Sequence, residues 1–213
     1  MPLMKVMGNK MKHLISAIAL SAGLASGAQA AVVNGSFEDP GTVTGNWATY
    51  NAGSNALTGW TINSGSIDLI NAFWQHSDGN YSINLDGRSP GTISQMLTGL
   101  SVGRNYTLAF DMAANTADRN QSVGLTASVG RNFQSYSFDK AGNSRGDMGW
   151  VTYTLDFTAA ADSMLLSFAS DSPSGPYGAA LDNISVTSVP LPASGLLLLA
   201  AVGGLALRTR KST

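Results

Sequence analysis

From residue 105 to residue 187 the chain repeatedly alternates apolar and polar positions. In "NYTLAFDMAAN", Tyr106, Leu108, Phe110 and Met112 fall on one side, and Thr107, Ala109 and Asp111 on the other. A period of two puts successive side chains on opposite faces of an extended strand, so this segment predicts a strand with one buried face. "GWVTYTLDFTA" repeats the pattern with Val151, Tyr153, Leu155 and Phe157, and "SMLLSFAS" with Met164, Leu166 and Phe168. "SIDLINAF", "YSINLDG", "GTISQML", "VGLTASVG", "QSYSFDK" and "LDNISVTSV" are further strand-length runs, separated by Gly, Asn, Asp and Ser clusters of the kind that form turns. About ten short antiparallel strands without a helical period predict an all-β domain, a jelly-roll β-sandwich, with no internal repeat or coiled coil.

The two ends break this pattern. Lys5, Lys10 and Lys12 precede an apolar run from Leu14 to Leu24, and Ala28-Gln29-Ala30 supplies a small-x-small sequence. This arrangement predicts a secretory signal peptide over residues 1–30, cleaved by signal peptidase after Ala30. At the other end, Val189 to Leu207 carries no charge, and Arg208, Arg210 and Lys211 follow at once. Such a run approaches the roughly 20 residues that cross a bilayer as a helix, and the basic cluster keeps its far end cytoplasmic. The predicted organisation is therefore a signal peptide (1–30), an exported domain (31–188), and a tail with a transmembrane helix (189–213).

Charge looks different once the ends are set aside. The whole chain has a formal charge of −1, but residues 31–188 hold six basic and thirteen acidic side chains, a net −7. That balance argues against nucleic acid as a partner and against anionic lipid headgroups, and favours neutral ligands or cations. The chain has no cysteine, so no disulfide can staple an exported domain of this size.

"VNGSFEDP", "LTGWTI", "INLDG", "GTISQ", "NYTLAFDMAAN" and "SGPYGAALDNISV" occur in an order that resembles the choice-of-anchor C family. Its domain is similar to plant cell-wall proteins of a family of unknown function and to galactose-binding-like jelly rolls. The plant relatives carry cysteines and two tandem domains, and this chain departs from them in both respects. The tail, "VPLPA" (Val189, Pro190, Leu191, Pro192, Ala193) followed by an apolar helix and a basic cluster, resembles the VPLPA variant of the PEP-CTERM sorting signal. That resemblance implies an inner-membrane intermediate held through residues 189–207, recognition by an exosortase-type protease, and transfer to the cell surface or extracellular matrix of a Gram-negative bacterium. The two prolines suit such a segment, since they interrupt regular structure and leave the backbone extended.

The jelly-roll resemblance also implies a structural calcium ion tying the first and last strands. The matching residues are Glu38 and Asp182, with Asn34 or Asp39 assisting; the alternative is that these carboxylates cap turns. Calcium takes six to eight oxygen ligands, which carboxylates from both chain ends and backbone carbonyls could supply.

For a sugar ligand, aromatic rings and planar polar groups are the expected contacts. Trp47, Tyr50, Trp60, Phe73, Trp74, His76, Tyr81, Trp150 and Tyr177 are available, with Trp60 and Trp150 expected in the core. "NAFWQHSDGNY" leaves a strand and enters an Asp-Gly turn, so Phe73, Trp74 and His76 are expected on a loop rim, with Trp74, His76 and Arg88 as the ligand contacts. "GRSPG" (Gly87 to Gly91) matches a Gly-x-Ser-x-Gly pattern, but Pro90 stands where a helix would begin. "RGD" (Arg145 to Asp147) reads as a charged turn. No acid, base or nucleophile constellation is recognisable, so the sequence predicts a non-catalytic polysaccharide-binding protein of the cell surface or matrix. The alternative is a structural matrix protein acting through protein contacts.

Overall fold

The computed structural model describes residues 31–39, 43–117, 122–173 and 175–190. The predicted signal peptide with Ala28 and Ala30 lies outside the described residues, as do Leu191, Pro192, Ala193 and the apolar tail beyond them. Among the described residues every regular element is a strand: β1 (Trp47–Asn51), β2 (Thr61–Ser64), β3 (Ser66–Ile70), β4 (Ser82–Asn84), β5 (Thr92–Thr98), β6 (Asn105–Ala114), β7 (Ser122–Val129), β8 (Asn132–Asp139), β9 (Val151–Thr158), β10 (Ser163–Ser170) and β11 (Ala179–Ser188). None of the described segments is a helix long and apolar enough to cross a membrane.

The strands pair antiparallel into a six-stranded sheet, ordered β1-β3-β4-β11-β6-β9, and a five-stranded sheet, ordered β2-β5-β10-β7-β8. Stacked face to face, the two sheets make a jelly-roll β-sandwich whose core is the apolar side of each alternating strand. Tyr106, Leu108, Phe110 and Met112 are all fully buried, and Phe110 meets Phe168 of the opposite sheet edge-on at 5.1 Å between ring centroids. The inward side of β9 departs from the alternation. Leu155 and Phe157 are buried, whereas Val151 is exposed and Tyr153 only half-buried. β9 lies at the edge of its sheet, where the core thins, and two tyrosines span the gap to β8. The Tyr136 hydroxyl donates to the Thr154 carbonyl at 2.7 Å, and the Tyr153 hydroxyl donates to the Ser137 carbonyl at 2.8 Å.

The stretch "NGSFED" fastens the chain's first described residues to its last strand. Gly35 passes so close to β11 that a Cβ there would sit 2.1 Å from the Ile184 carbonyl oxygen, so only glycine fits. In return, the Ile184 amide donates to the Gly35 carbonyl at 3.0 Å, inside the irregularity that shifts the β11–β6 register between Asp182 and Ser185. Phe37 is fully buried beside Trp60, whose indole donates to the Asn34 carbonyl at 3.0 Å; Trp60 is therefore core, as expected. Gln95 completes the attachment, accepting from the Val33 amide at 2.7 Å and donating to the carbonyls of Val33 and Gly59.

Candidate functional site

The outer face of the six-stranded sheet carries a polar row and, beside it, an aromatic one. Register places Thr49 opposite Asp68, Asp68 opposite Asn84, and Asn84 opposite Ala180. One step along, Trp47 lies opposite Ile70, and Ile70 opposite Ser82. Residues 71–81 leave β3 and cross this face as a strap, covering the part over Ser82, Asp111 and Asp182. What stays uncovered, above Thr49, Asp68, Trp47 and Ile70, is a cleft of about 540 Å³.

Aromatic side chains form one wall of this cleft. Trp47 and Phe73 meet edge-on at 5.1 Å, and Phe73 leans on Trp74 at 5.7 Å. Trp47 is 46% exposed, and Tyr177, facing in from the segment before β11, is 44% exposed. Such half-open rings on a rigid strand and its neighbouring loop offer flat apolar surface without needing to move. Arg88 enters from the turn after β4, and Arg145 from the turn before β9, with its guanidinium carbon 3.8 Å above the Phe73 ring centre.

Asp68 forms the floor. Its carboxylate accepts from the Thr49 hydroxyl at 2.6 Å and, more loosely, from the Asn84 amide at 3.5 Å. Burial raises its proton affinity above the ordinary carboxylate value, while these hydrogen bonds and the Arg88 charge pull the other way. The Asn84 side chain also donates to the carbonyls of Asp86 and Pro176, and its oxygen accepts from the Gly178 amide, so it fixes the segment carrying Tyr177.

The three contacts expected from sequence fall in different places. Arg88 lines the cleft and is exposed. Trp74 lines it too, but only 4% of the side chain is exposed, and its indole donates to the Ser82 hydroxyl at 2.9 Å. It supports the wall from behind and is not an open platform. His76 lies in the strap outside the cleft lining, its ring nitrogens 2.9 Å from the Ser82 hydroxyl and 2.7 Å from the Asn71 carbonyl. Both are thereby engaged away from Ser89 of the "GRSPG" turn. Trp150, expected in the core, is half-buried and donates to the Gln75 carbonyl at 3.0 Å, anchoring the strap.

Residues 30–187 match the family described as protein of unknown function, DUF642. The chain belongs to this family. Among curated proteins, Halomucin of Haloquadratum walsbyi is 32% identical over 177 residues, a match covering 81% of this chain and 2% of that one. The chain thus spans only a small fraction of that relative's length. Similar solved structures include the CBM22-1 xylan-binding domain of Paenibacillus barcinonensis Xyn10C, with 16% identity and a TM-score of 0.43 over 71% of this chain and 99% of that one. Another is the carbohydrate-binding module TmCBM61 in complex with β-1,4-galactotriose, with 14% identity and a TM-score of 0.45 over 75% of this chain and 99% of that one. A third is a family 35 carbohydrate-binding module from Clostridium thermocellum, with 16% identity and a TM-score of 0.42 over 67% and 92%.

In this DUF642 domain the residues matched to a calcium site hold the strap. Asp182 is fully buried and accepts from the amides of Ser77 and Asp78 at 2.9 and 3.0 Å and from the Asn183 amide at 2.8 Å. Glu38 accepts from the amides of Asn80 and Tyr81 at 2.7 and 2.8 Å. The Asn34 side chain bonds the Asp39 backbone in both directions and donates to the Thr58 carbonyl. As arranged, this donor set does not fit calcium, since the oxygens face N–H groups. No group of three or more His, Asp or Glu side chains that could hold a metal occurs among the described residues.

Several cleft residues were not singled out from sequence as contacts. Phe73 belongs to the expected loop rim, though not to the three expected contacts, and does line the cleft; Trp47 stands only in the inventory of aromatics, and Asp68 is hidden inside a strand run. Arg145 was set aside with the "RGD" turn. A signal for Asp68 was present, because an acid in the middle of "SIDLI" must face either a cleft or buried partners.

Proposed function

We propose that this domain is a non-catalytic polysaccharide-binding module whose ligand lies in the cleft on the outer face of the six-stranded sheet. The observation that carries this reading is the open aromatic pair Trp47 and Tyr177 beside the polar floor of Asp68 and Thr49. Sugar rings present an apolar face and a rim of hydroxyls; half-exposed rings take the first and fixed hydrogen-bonding side chains the second. The strap supplies rigidity, since Ser77 donates to the Asp111 carboxylate and the Thr152 hydroxyl donates to the same group at 2.5 Å. Pre-set side chains lose little freedom on binding.

Export fits this function. In the same proposal, residues 1–30 direct secretion and residues 189–213 hold the protein at the inner membrane. An exosortase-type protease then passes the domain to the cell surface or matrix. The Val189 amide donates to the Asn105 carbonyl at 2.9 Å, which supports a tail that leaves the sheet directly at Pro190. Titrating the full chain in mild detergent with a panel of soluble polysaccharides tests the binding reading. Saturable binding lost in Trp47→Ala supports it. Absence of binding to every polymer, together with self-association of the protein, would favour a structural matrix role.

A further inference from the structure

We propose that the polysaccharide recognised in the cleft is acidic, its carboxylates read by Arg88 and Arg145. This rests on the glycan-binding reading above and adds the charge of the ligand. It also reverses the expectation from net charge, because a −7 domain can still present a local positive site.

Basic residues are scarce in this domain, and their placement is uneven. Of six between residues 31 and 188, two line the same cleft. Each is held by its backbone so that the side chain is aimed. The amides of Arg88 and Ser89 both donate to the Ser66 hydroxyl, at 2.7 and 3.3 Å, which pins the turn while the Arg88 side chain stays exposed. The Arg145 carbonyl accepts from the Gln75 amide at 2.8 Å, and its guanidinium carbon sits 3.8 Å from the Phe73 ring centre.

Neither guanidinium is neutralised by a salt bridge among the described residues. Asp68, whose carboxylate feels the Arg88 charge, has its oxygens engaged by Thr49 and Asn84. A guanidinium held over an aromatic ring still has N–H donors to offer, and the guanidinium fork matches a carboxylate with two parallel hydrogen bonds. The cleft thus combines flat rings for the sugar with two planar cations for an acidic substituent. A neutral glycan would use the rings and leave both cations to water.

The test uses the full chain in mild detergent, titrated with alginate, polygalacturonate and hyaluronan. Each polymer is paired with its carboxyl-reduced neutral counterpart, and xylan is a further neutral probe. Expected is binding of at least one acidic polymer, about tenfold or more tighter than its reduced form, and weakened as NaCl rises from about 0.05 to about 0.5 M. Arg88→Gln, on an exposed turn, should lower that affinity about fivefold or more at unchanged melting temperature, and Arg145→Lys should lower it even though the charge is kept. Equal binding of acidic and reduced forms, or binding of neutral polymers only, would overturn the acidic-ligand proposal while the glycan-binding function stands. No binding to any polymer would overturn both.

Discussion

Glu38 and Asp182, residues from opposite ends of the domain, hold opposite ends of one loop. Asp182 accepts the amides of Ser77 and Asp78, and Glu38 those of Asn80 and Tyr81. Between them Gly79 takes a positive φ of 60°, and a Cβ there would lie 2.4 Å from the Glu38 carboxylate. The strap that supplies Phe73 to the cleft is therefore tied to both termini of the fold.

The Asp182 contact should make stability depend on pH. Burial raises its pKa from 3.8 to about 7, against the opposing pull of the backbone amides of Asp78, Asn183 and Ser77. With the folded value above the unfolded one, the native state binds the extra proton between these two pKa values. Stability from this group is then greatest below about pH 4, falls as pH rises to about 7, and is level beyond, a change of up to about 4 kcal/mol. Asp182→Asn should remove this slope, because an amide keeps an acceptor oxygen and cannot ionise. Chemical denaturation of both proteins at several pH values measures it; parallel curves between pH 4 and 7 would show that the carboxyl is ionised throughout.

Chelation should leave the fold untouched. The amides facing Glu38 and Asp182 already supply the attraction that a calcium ion would provide, so the melting temperature with and without a chelator should agree within about 2 °C. A drop of several degrees on chelation, restored by calcium, would show that the ion displaces these donors.

Two tryptophans should separate binding from folding. Trp47 is half-open at the cleft, and Trp60 is 3% exposed between Phe37 and Phe168. Trp47→Ala should weaken polysaccharide binding about tenfold or more with little change in stability. Trp60→Ala empties a core position and leaves the Asn34 carbonyl without its indole partner, a loss of about 3–5 kcal/mol. Thermal melts beside binding titrations check both, and comparable destabilisation by the two would place Trp47 in the core.

How much of this was legible in the chain follows from the range of the interactions. The strands of the sandwich show in the sequence because alternation is local: Tyr106 to Met112 reads the same on paper as in the sheet. The cleft is not local. Trp47, Arg88, Arg145 and Tyr177 come from four separate segments and meet only because β1, β3 and β4 pair in a given register. Trp74 misled for the same reason. Its loop position suggested an open ring, but Ser82, eight residues on, folds back beneath it. Net charge misled as well, since a sum over the domain says nothing about where Arg88 and Arg145 lie.

The last ladder bond of β11 bears on where the tail is cut. The Val189 amide is tied to the Asn105 carbonyl at 2.9 Å, and Pro190 has no amide with which to continue the ladder. A protease binds several residues in extended form around the scissile bond, which a residue hydrogen-bonded in a sheet cannot offer without opening the strand end. Processing at the tail should therefore fall after Pro190, within residues 191–193, and the surface form should keep Val189 and Pro190. Intact-mass analysis of protein recovered from the cell surface measures this directly. A mass ending before Val189 would mean that the strand end frays during processing, and a mass that includes Arg208 to Thr213 would make the tail a permanent anchor.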